Sequence, residues 1–376
     1  MKVLHVTADW KWTGPAEPML NLTLGLRSRG HTVEIACPPA PEGYSGSLAD
    51  HCRARGLHPL LVFERRQGYW PLRDRSEVRR LRETLGDGDY DVVHVHHTRD
   101  HLIAWRATRG LRTALVLSWH SGEPLPRAPW HRFRLSPRMA DGFVALSPGI
   151  AASARAIGWT DERLDVVAGA VDAERFRPRA RSEPLAKELE LDPRHRVLGV
   201  VARLQPHRRF DLLLEAFSRA HRELPELRLL VIGRGTRARQ VLVEPIRTLG
   251  LEGVVVRAGY RRDDYLEVLS LLDALVFLVP GSDGSCRAVL ETMAMEIPTL
   301  ASRRGILPET VVDGVTGRLV DEEVSALAGA MLEVGRDPEG WKRRGAAARL
   351  RVASHHSPEA QSDRLERLYF EVAGSS

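Results

Sequence analysis

Two arginines flank a strand-to-helix turn in VVARLQPHRRFDLLLEA, residues 200–216. Arg203 ends an apolar run and Arg208 stands just before a helical pattern. Two guanidiniums so spaced can clamp a diphosphate and stabilise the charge that grows on it as a leaving group. Downstream, SDGSCRAVLETMAMEIP, residues 282–298, carries two acids, Asp283 and Glu291. Its turn formers deliver the chain into a helix from about Cys286 or Arg287, and a helix start is an anion site by its unpaired N–H groups and dipole. Gly284 has no Cβ, so a ligand can come close to the backbone there. Glu291, inside the helix, and Asp283, on the loop, can accept hydrogen bonds from sugar hydroxyls. Each stretch taken alone also has a plain reading: solvated arginines in an Arg-rich chain, and Ser285 as a helix N-cap beside a well-placed acid.

Other residues are weaker signals. VIGRGTRA, residues 231–238, puts Gly233 and Gly235 after a strand, which by itself means a tight turn. Histidines gather in DVVHVHHTRDH, where His94 and His96 share a strand face by the period of two. A metal site is one reading, but no nearby carboxylate or cysteine pattern completes it, so no metal is assigned. Histidines lining a cleft from strand ends are preferred. His120 ends the next apolar run, in LVLSWHSGEP. Trp10 and Trp12 precede Thr13 and Gly14; such aromatics either stack on pyranose faces or pack beneath the loop. Residues 124–139, PLPRAPWHRFRLSPRM, set Trp130 and Phe133 among arginines. That suits contact with an anionic membrane or a phosphorylated lipid, and equally an ordinary solvated loop.

The elements that must position these groups follow from patterning. Near-continuous apolar runs at 2–8, 32–37, 91–97, 114–120 and 142–147 alternate with helical stretches, and the pattern restarts at 197–204, 227–233, 254–260, 274–280 and 298–302. Such strands imply parallel sheets covered on both faces. In FDLLLEAFSRAHREL, Leu213, Ala216, Phe217 and Ala220 fall on one helix face. The expectation is two doubly wound α/β domains, with ligands at the carboxyl ends of the strands. The boundaries are 1–176, a linker at 177–196, 197–350, and a final helix in 351–376 packing across both.

The chain has 376 residues, 43% hydrophobic and 28% charged, which is the composition of a folded rather than a disordered protein. Only four of its 55 basic residues are lysine, an imbalance that reads as genome composition. The net charge of +6 comes without a basic-aromatic stacking platform or a reading helix, so no nucleic-acid partner is assigned. Three cysteines in no metal or CxxC spacing, and no signal-like or membrane-spanning run, point to a reducing, cytoplasmic setting, with peripheral contact at the inner membrane face through 124–139.

Taken together the loops resemble the retaining GT-B glycosyltransferases of the GT4 family. ARLQPHRRFDLLLEA is similar to the family's GRL…PxKGxDxLLxA, with Arg203 kept and Arg208 in place of Lys. DGSCRAVLETMAMEIP corresponds to its Glu, seven residues, Glu segment, with Asp283 first and Glu291 second. GAVDAERFRP (169–178) and LPETVVDGVTGRLV (307–320) resemble two further segments. The resemblance implies a GT-B fold, two Rossmann-like domains facing a central cleft, and metal-independent transfer of a sugar from a UDP-, GDP- or ADP-sugar, with no cofactor, to a hydroxyl acceptor on a lipid-linked glycan, polysaccharide or small molecule. It implies Arg203 and Arg208 on the diphosphate, Glu291 on the ribose, and Asp283 with residues Gly284, Ser285, Cys286, Arg287 and Ala288 on sugar and phosphates. Gly233, Gly235 and Tyr260 flank the base, His120 faces the sugar, and Trp12, Thr13, Gly14 and His96 lie toward the acceptor. An epimerase or hydrolase on the same fold, or an inactive relative, is the alternative. Three departures stand out. Asp283 is shorter than Glu by about 1.5 Å. Ser285–Ala288 replace an apolar-Gly-apolar-Pro run. Arg209 replaces a Gly.

Overall fold

The computed structural model describes residues 1–12, 14–62, 71–280 and 284–374. The chain forms two compact units. The first comprises the described parts of Met1–Ala170, Gly281–Ser285 and Pro358–Ser376; the second is Val171–Pro280 with Cys286–Ser357.

The first unit is built on a parallel sheet of β1 (Lys2–Val6), β2 (Thr32–Cys37), β3 (Leu60–Leu61), β4 (Val92–Val95), β5 (Ala114–Trp119), β6 (Gly142–Ala145) and β7 (Leu164–Val166), in the order β3-β2-β1-β4-β5-β6-β7. Register sets one face. His5 pairs with His94 across β1 and β4, and His94 pairs with Val116 across β4 and β5. With side chains alternating along each strand, Val3, His5, His94, His96, Val116, Ser118 and His120 therefore point the same way. The helix Pro358–Ala373 covers this face, burying Leu365, Leu368, Tyr369 and Val372 against Val3, Val92, Ala114 and Val116. Its apolar positions recur at three- and four-residue intervals, as one buried helix stripe requires.

The second unit repeats the plan with β8 (Arg196–Val201), β9 (Leu227–Ile232), β10 (Val255–Gly259), β11 (Ala274–Phe277), β12 (Thr299–Ser302) and β13 (Gly317–Val320), all parallel, in the order β10-β9-β8-β11-β12-β13. Leu213, Ala216, Phe217 and Ala220 of the helix Phe210–Glu223 are buried in its core, as their spacing predicts. The strand order reverses between β8 and β11, so the loops after these two neighbours meet at the place where doubly wound sheets bind ligands. The ten apolar runs read from sequence all form strands. Three short strands, β3, β7 and β13, each at a sheet edge, add to these ten among the described residues.

Candidate functional site

In the second unit the β8 loop carries Arg203, exposed, and Arg208, partly buried. The Arg208 guanidinium donates to the Val279 carbonyl at the end of β11, at 2.7 Å, which ties the two switch-point loops together. Its Nε is buried and has no hydrogen-bond partner among the described residues. Burial first, and then the Arg203 charge beside it, hold Arg208 below the usual arginine range, partly offset by Cys286. Two like charges brought together with an unsatisfied donor form a site that an anion would relieve.

The helix Arg287–Ala294 starts next to this pair. Its N-cap is Cys286, buried and with no side-chain cap bond; Arg287 is exposed and Ala288 partly buried. One turn in, Glu291 is 8% exposed and accepts from the Tyr265 hydroxyl at 2.8 Å, while Arg287 Nε lies 3.8 Å from its other oxygen. Desolvation, and then this carboxylate, push the Tyr265 phenol well above its ordinary range. Tyr265 had no motif to mark it; it belongs to the helix Tyr265–Leu269 and reaches Glu291 only in the folded unit.

The glycines serve backbone packing. Gly233 has φ +147°, and a Cβ there would run into the Ala202 carbonyl; one on Gly235 would meet the Leu204 backbone. The β8, β9 and β10 ends are laced by Ala202 N–H to Ile232 at 3.1 Å, Leu204 N–H to Arg234 at 3.2 Å and Gly233 N–H to Gly259 at 2.8 Å. Beside them is a cleft of about 360 Å³ lined by Leu204, Gly233, Arg234, Gly235, Leu242 and Gly259, among others. Tyr260 is exposed, with the Arg234 guanidinium 4.3 Å from its ring centroid.

In the first unit the shared sheet face carries a hydrogen-bonded row of rings. His120 Nε2 lies 2.9 Å from His96 Nδ1, and His96 Nε2 lies 2.9 Å from His5 Nδ1. His5 Nε2 is 3.3 Å from the Tyr369 hydroxyl, which is 2.6 Å from His94 Nδ1; His94 Nε2 is 2.7 Å from Ser118 Oγ. All are buried. Burial, and then the neighbouring rings, lower His5 and His120 to about 3 and His94 and His96 well below the ordinary value, so all four are neutral at pH 7. His96, expected toward an acceptor, instead has both nitrogens engaged inside the unit. One nitrogen each of His5, His94 and His96 lies within 4.8 Å of the others, a grouping that sequence could not show because His5 is on another strand. Two imidazole nitrogens on one zinc, each at about 2.0–2.1 Å, stand more than about 3 Å apart, and His5 Nδ1 and His96 Nε2, 2.9 Å apart, are already joined by an N–H···N hydrogen bond. The residues suit proton sharing better than a metal.

Gly284 and Ser285 are buried in the first unit. Gly284 N–H donates to the His120 carbonyl at 2.9 Å, and a Cβ on Gly284 would strike the backbone of His120, Ser121 and Gly122. The chain itself makes a close approach that glycine permits here. The Trp12 ring stacks on His51 at 3.9 Å and packs on the core around Met19 and Leu48; Gly14 is partly buried beside it. Thr13 and Asp283 lie outside the described residues.

Residues 14–175 match the family described as Glycosyltransferase Family 4, and residues 182–351 match Glycosyl transferases group 1. The chain belongs to the GT4, group 1 glycosyltransferases. Among curated relatives of this family, a D-inositol 3-phosphate glycosyltransferase of Mycobacterium sp. (strain KMS) is 32% identical over 65% of this chain and 58% of its own length. The match thus spans less than two thirds of that relative. An N-acetyl-alpha-D-glucosaminyl L-malate synthase of Bacillus anthracis is 23% identical over 84% of both chains. Among solved structures, a glycosyltransferase from Rickettsia africae superposes with a TM-score of 0.84 at 17% identity, covering 100% of this chain and 99% of its own. Anabaena Alr3699/HepE, crystallised with UDP and glucose, gives 0.77 at 19% identity over 97% and 98%. The fold is GT-B, two parallel-sheet α/β units.

Family membership explains two oddities of backbone. Arg209 and Cys286 have φ of +58° and +50°, and both stand where the GT4 pattern has glycine. A left-handed conformation costs a residue with a Cβ roughly 1–2 kcal/mol. At both positions a residue with a side chain adopts a conformation that glycine takes freely. Arg209 has a compensating partner in Glu322 at 2.7 Å, a carboxylate it shares with Arg304.

Proposed function

We propose that this protein transfers a sugar, with retention at the anomeric carbon, from a nucleotide-diphosphate sugar to a hydroxyl acceptor. The observation that carries the reading is the Arg203–Arg208 pair, two like charges held at the switch point beside the start of the Arg287–Ala294 helix. There the diphosphate binds and its departing charge is stabilised by groups set in place before reaction, with no metal required. Glu291, oriented by Tyr265, takes the ribose hydroxyls. The cleft beside Gly233 and Gly235 takes the base, with Tyr260 and Arg234 at its margin. Asp283 and the backbone of residues 284–288 act on the sugar, and His120 accepts a hydrogen bond from it. Because Alr3699/HepE was crystallised with UDP and with UDP-glucose, a uridine nucleotide is the first donor to test. Acceptor contacts fall to the loop of Trp12, Thr13 and Gly14. The arrangement fits glycoconjugate synthesis in the cytoplasm.

A second surface supports contact with an anionic membrane. Among the described residues, the helix Pro129–Arg134 buries no side chain; Trp130 is 60% and Phe133 46% exposed, with Arg134 over the Trp130 ring.

The deciding experiment is a thermal-shift panel of UDP, GDP, ADP and their sugars, with and without EDTA. One nucleotide series should stabilise the protein selectively, unaffected by EDTA, and lose its effect in Arg203→Ala and Arg208→Ala. Silence across the panel overturns the reading.

A further inference from the structure

The buried row of histidines has a use beyond packing. Its five hydrogen bonds form one unbranched chain: His120, His96, His5, Tyr369, His94, Ser118. Ring centroids of His5 and His96 are 5.0 Å apart at 22°, and those of His96 and His120 5.2 Å apart at 25°. These values are about what edge-to-edge N–H···N bonding gives, rather than face stacking. A neutral imidazole carries one N–H and one lone pair, and a phenol one O–H that it can give to only one neighbour. The phenol oxygen could accept from both sides only by leaving its own buried O–H unpaired, so the bonds of such a chain favour one common direction.

The end of the chain chooses the direction. His120 Nδ1 is buried and has no hydrogen-bond partner among the described residues. A buried N–H left without an acceptor is rarer and costlier than a lone pair left without a donor. The favoured direction is then His120 Nε2–H to His96, His96 Nε2–H to His5, His5 Nε2–H to Tyr369, the Tyr369 hydroxyl to His94, and His94 Nε2–H to Ser118. His120 Nδ1 is left as a bare acceptor.

We propose that His96, His5, Tyr369, His94 and Ser118 are positioning residues whose common hydrogen-bond direction holds His120 in the Nε2–H tautomer, presenting Nδ1 as an acceptor for a hydroxyl of the bound sugar. Holding that tautomer involves no net proton transfer. The sugar contact rests on the proposed glycosyl transfer; the tautomer does not.

The cleanest perturbation is Tyr369→Phe. It removes only the hydroxyl, leaving His5 Nε2–H without an acceptor. Either direction of the three remaining rings then leaves one buried N–H unpaired, at His5 Nε2 or at His120 Nδ1, so the preference at His120 is lost. Imidazole nitrogen NMR on the free protein reads this directly. Wild type should show His120 protonated at Nε2, and Tyr369→Phe should populate the Nδ1–H form beside it. Ser118→Ala presses on the chain from its far end and keeps the question answerable if Tyr369→Phe does not fold. In transfer assays Tyr369→Phe should lower kcat by about twofold, the share of molecules with His120 in the wrong tautomer, with the nucleotide thermal shift unchanged. An Nδ1–H tautomer in wild type, or the same His120 tautomer in wild type and both variants, overturns the proposal. So does stoichiometric metal in the purified protein with ligated-nitrogen shifts at His5 and His96. If the NMR result holds while no nucleotide binds, the relay stands and the transferase reading falls.

Discussion

The Tyr265 hydroxyl donates to Glu291 Oε2 at 2.8 Å, joining two helices of the second unit that are 26 positions apart in sequence. Glu291 is nearly buried, and a buried carboxylate needs donors. Tyr265→Phe should therefore cost about 1–3 kcal/mol of stability, the penalty for leaving a buried acceptor short of a partner. If Glu291 also holds the donor ribose, the same change should raise KM for the sugar nucleotide more than it lowers kcat. Urea unfolding and steady-state kinetics separate the two effects.

Arg209 and Cys286 make a paired test of backbone strain. Replacing either residue by Ala or by Gly removes the same side-chain contacts, so the difference between the two variants isolates the left-handed φ. At both positions the Gly variant should be the more stable by about 1 kcal/mol, the reverse of the order inside a helix. Paired denaturation curves measure it. Equal stability of the Gly and Ala forms would remove strain from the account of these turns.

The buried rings of His5, His94, His96 and His120 make the fold acid-sensitive. Their folded pKa values are depressed below 6.5, so below that pH the unfolded chain takes up protons that the folded chain refuses. Stability is intact above about 6.5 and falls continuously as the pH drops toward the folded values. Between about pH 7 and about pH 5.5 each ring contributes a loss of about 1 kcal/mol. Melting temperature against pH should show a decline starting near 6.5, shallower in a His94→Asn variant.

For the surface around Trp130 and Phe133, sedimentation with vesicles is the measurement. Binding to phosphatidylserine-containing vesicles, weakened at least about tenfold by Trp130→Ala with Phe133→Ala and by raised salt, is expected. Equal binding to neutral vesicles, or none to either, would return the segment to an ordinary solvated loop.

The fold was legible from sequence because long buried strands advertise themselves as apolar runs and the helices by their period. The edges were not. β3 has two residues and β7 three, too few to show an alternation, and an edge strand is chosen by the neighbour it pairs with. The spacing of Arg203, Arg208 and Glu291 was legible because loops at strand ends keep their spacing in the linear chain; their proposed roles await the nucleotide panel. The backbone packing at Gly233, Gly235 and Gly284 was not legible, since a missing Cβ looks the same in sequence whatever fills the space.

Sequence by itself determined which residues alternate onto a common face: His94 with His96, and Ser118 with His120. It could not say that β1 would lie beside β4 in the register that sets His5 against His94, nor that a helix 275 positions away would bring Tyr369 to His94. Strand pairing and helix docking made those choices, because burying the apolar stripe of the last helix on this face brings the tyrosine with it. The same burial keeps the histidines neutral, and neutrality lets a row of rings share hydrogens in one direction.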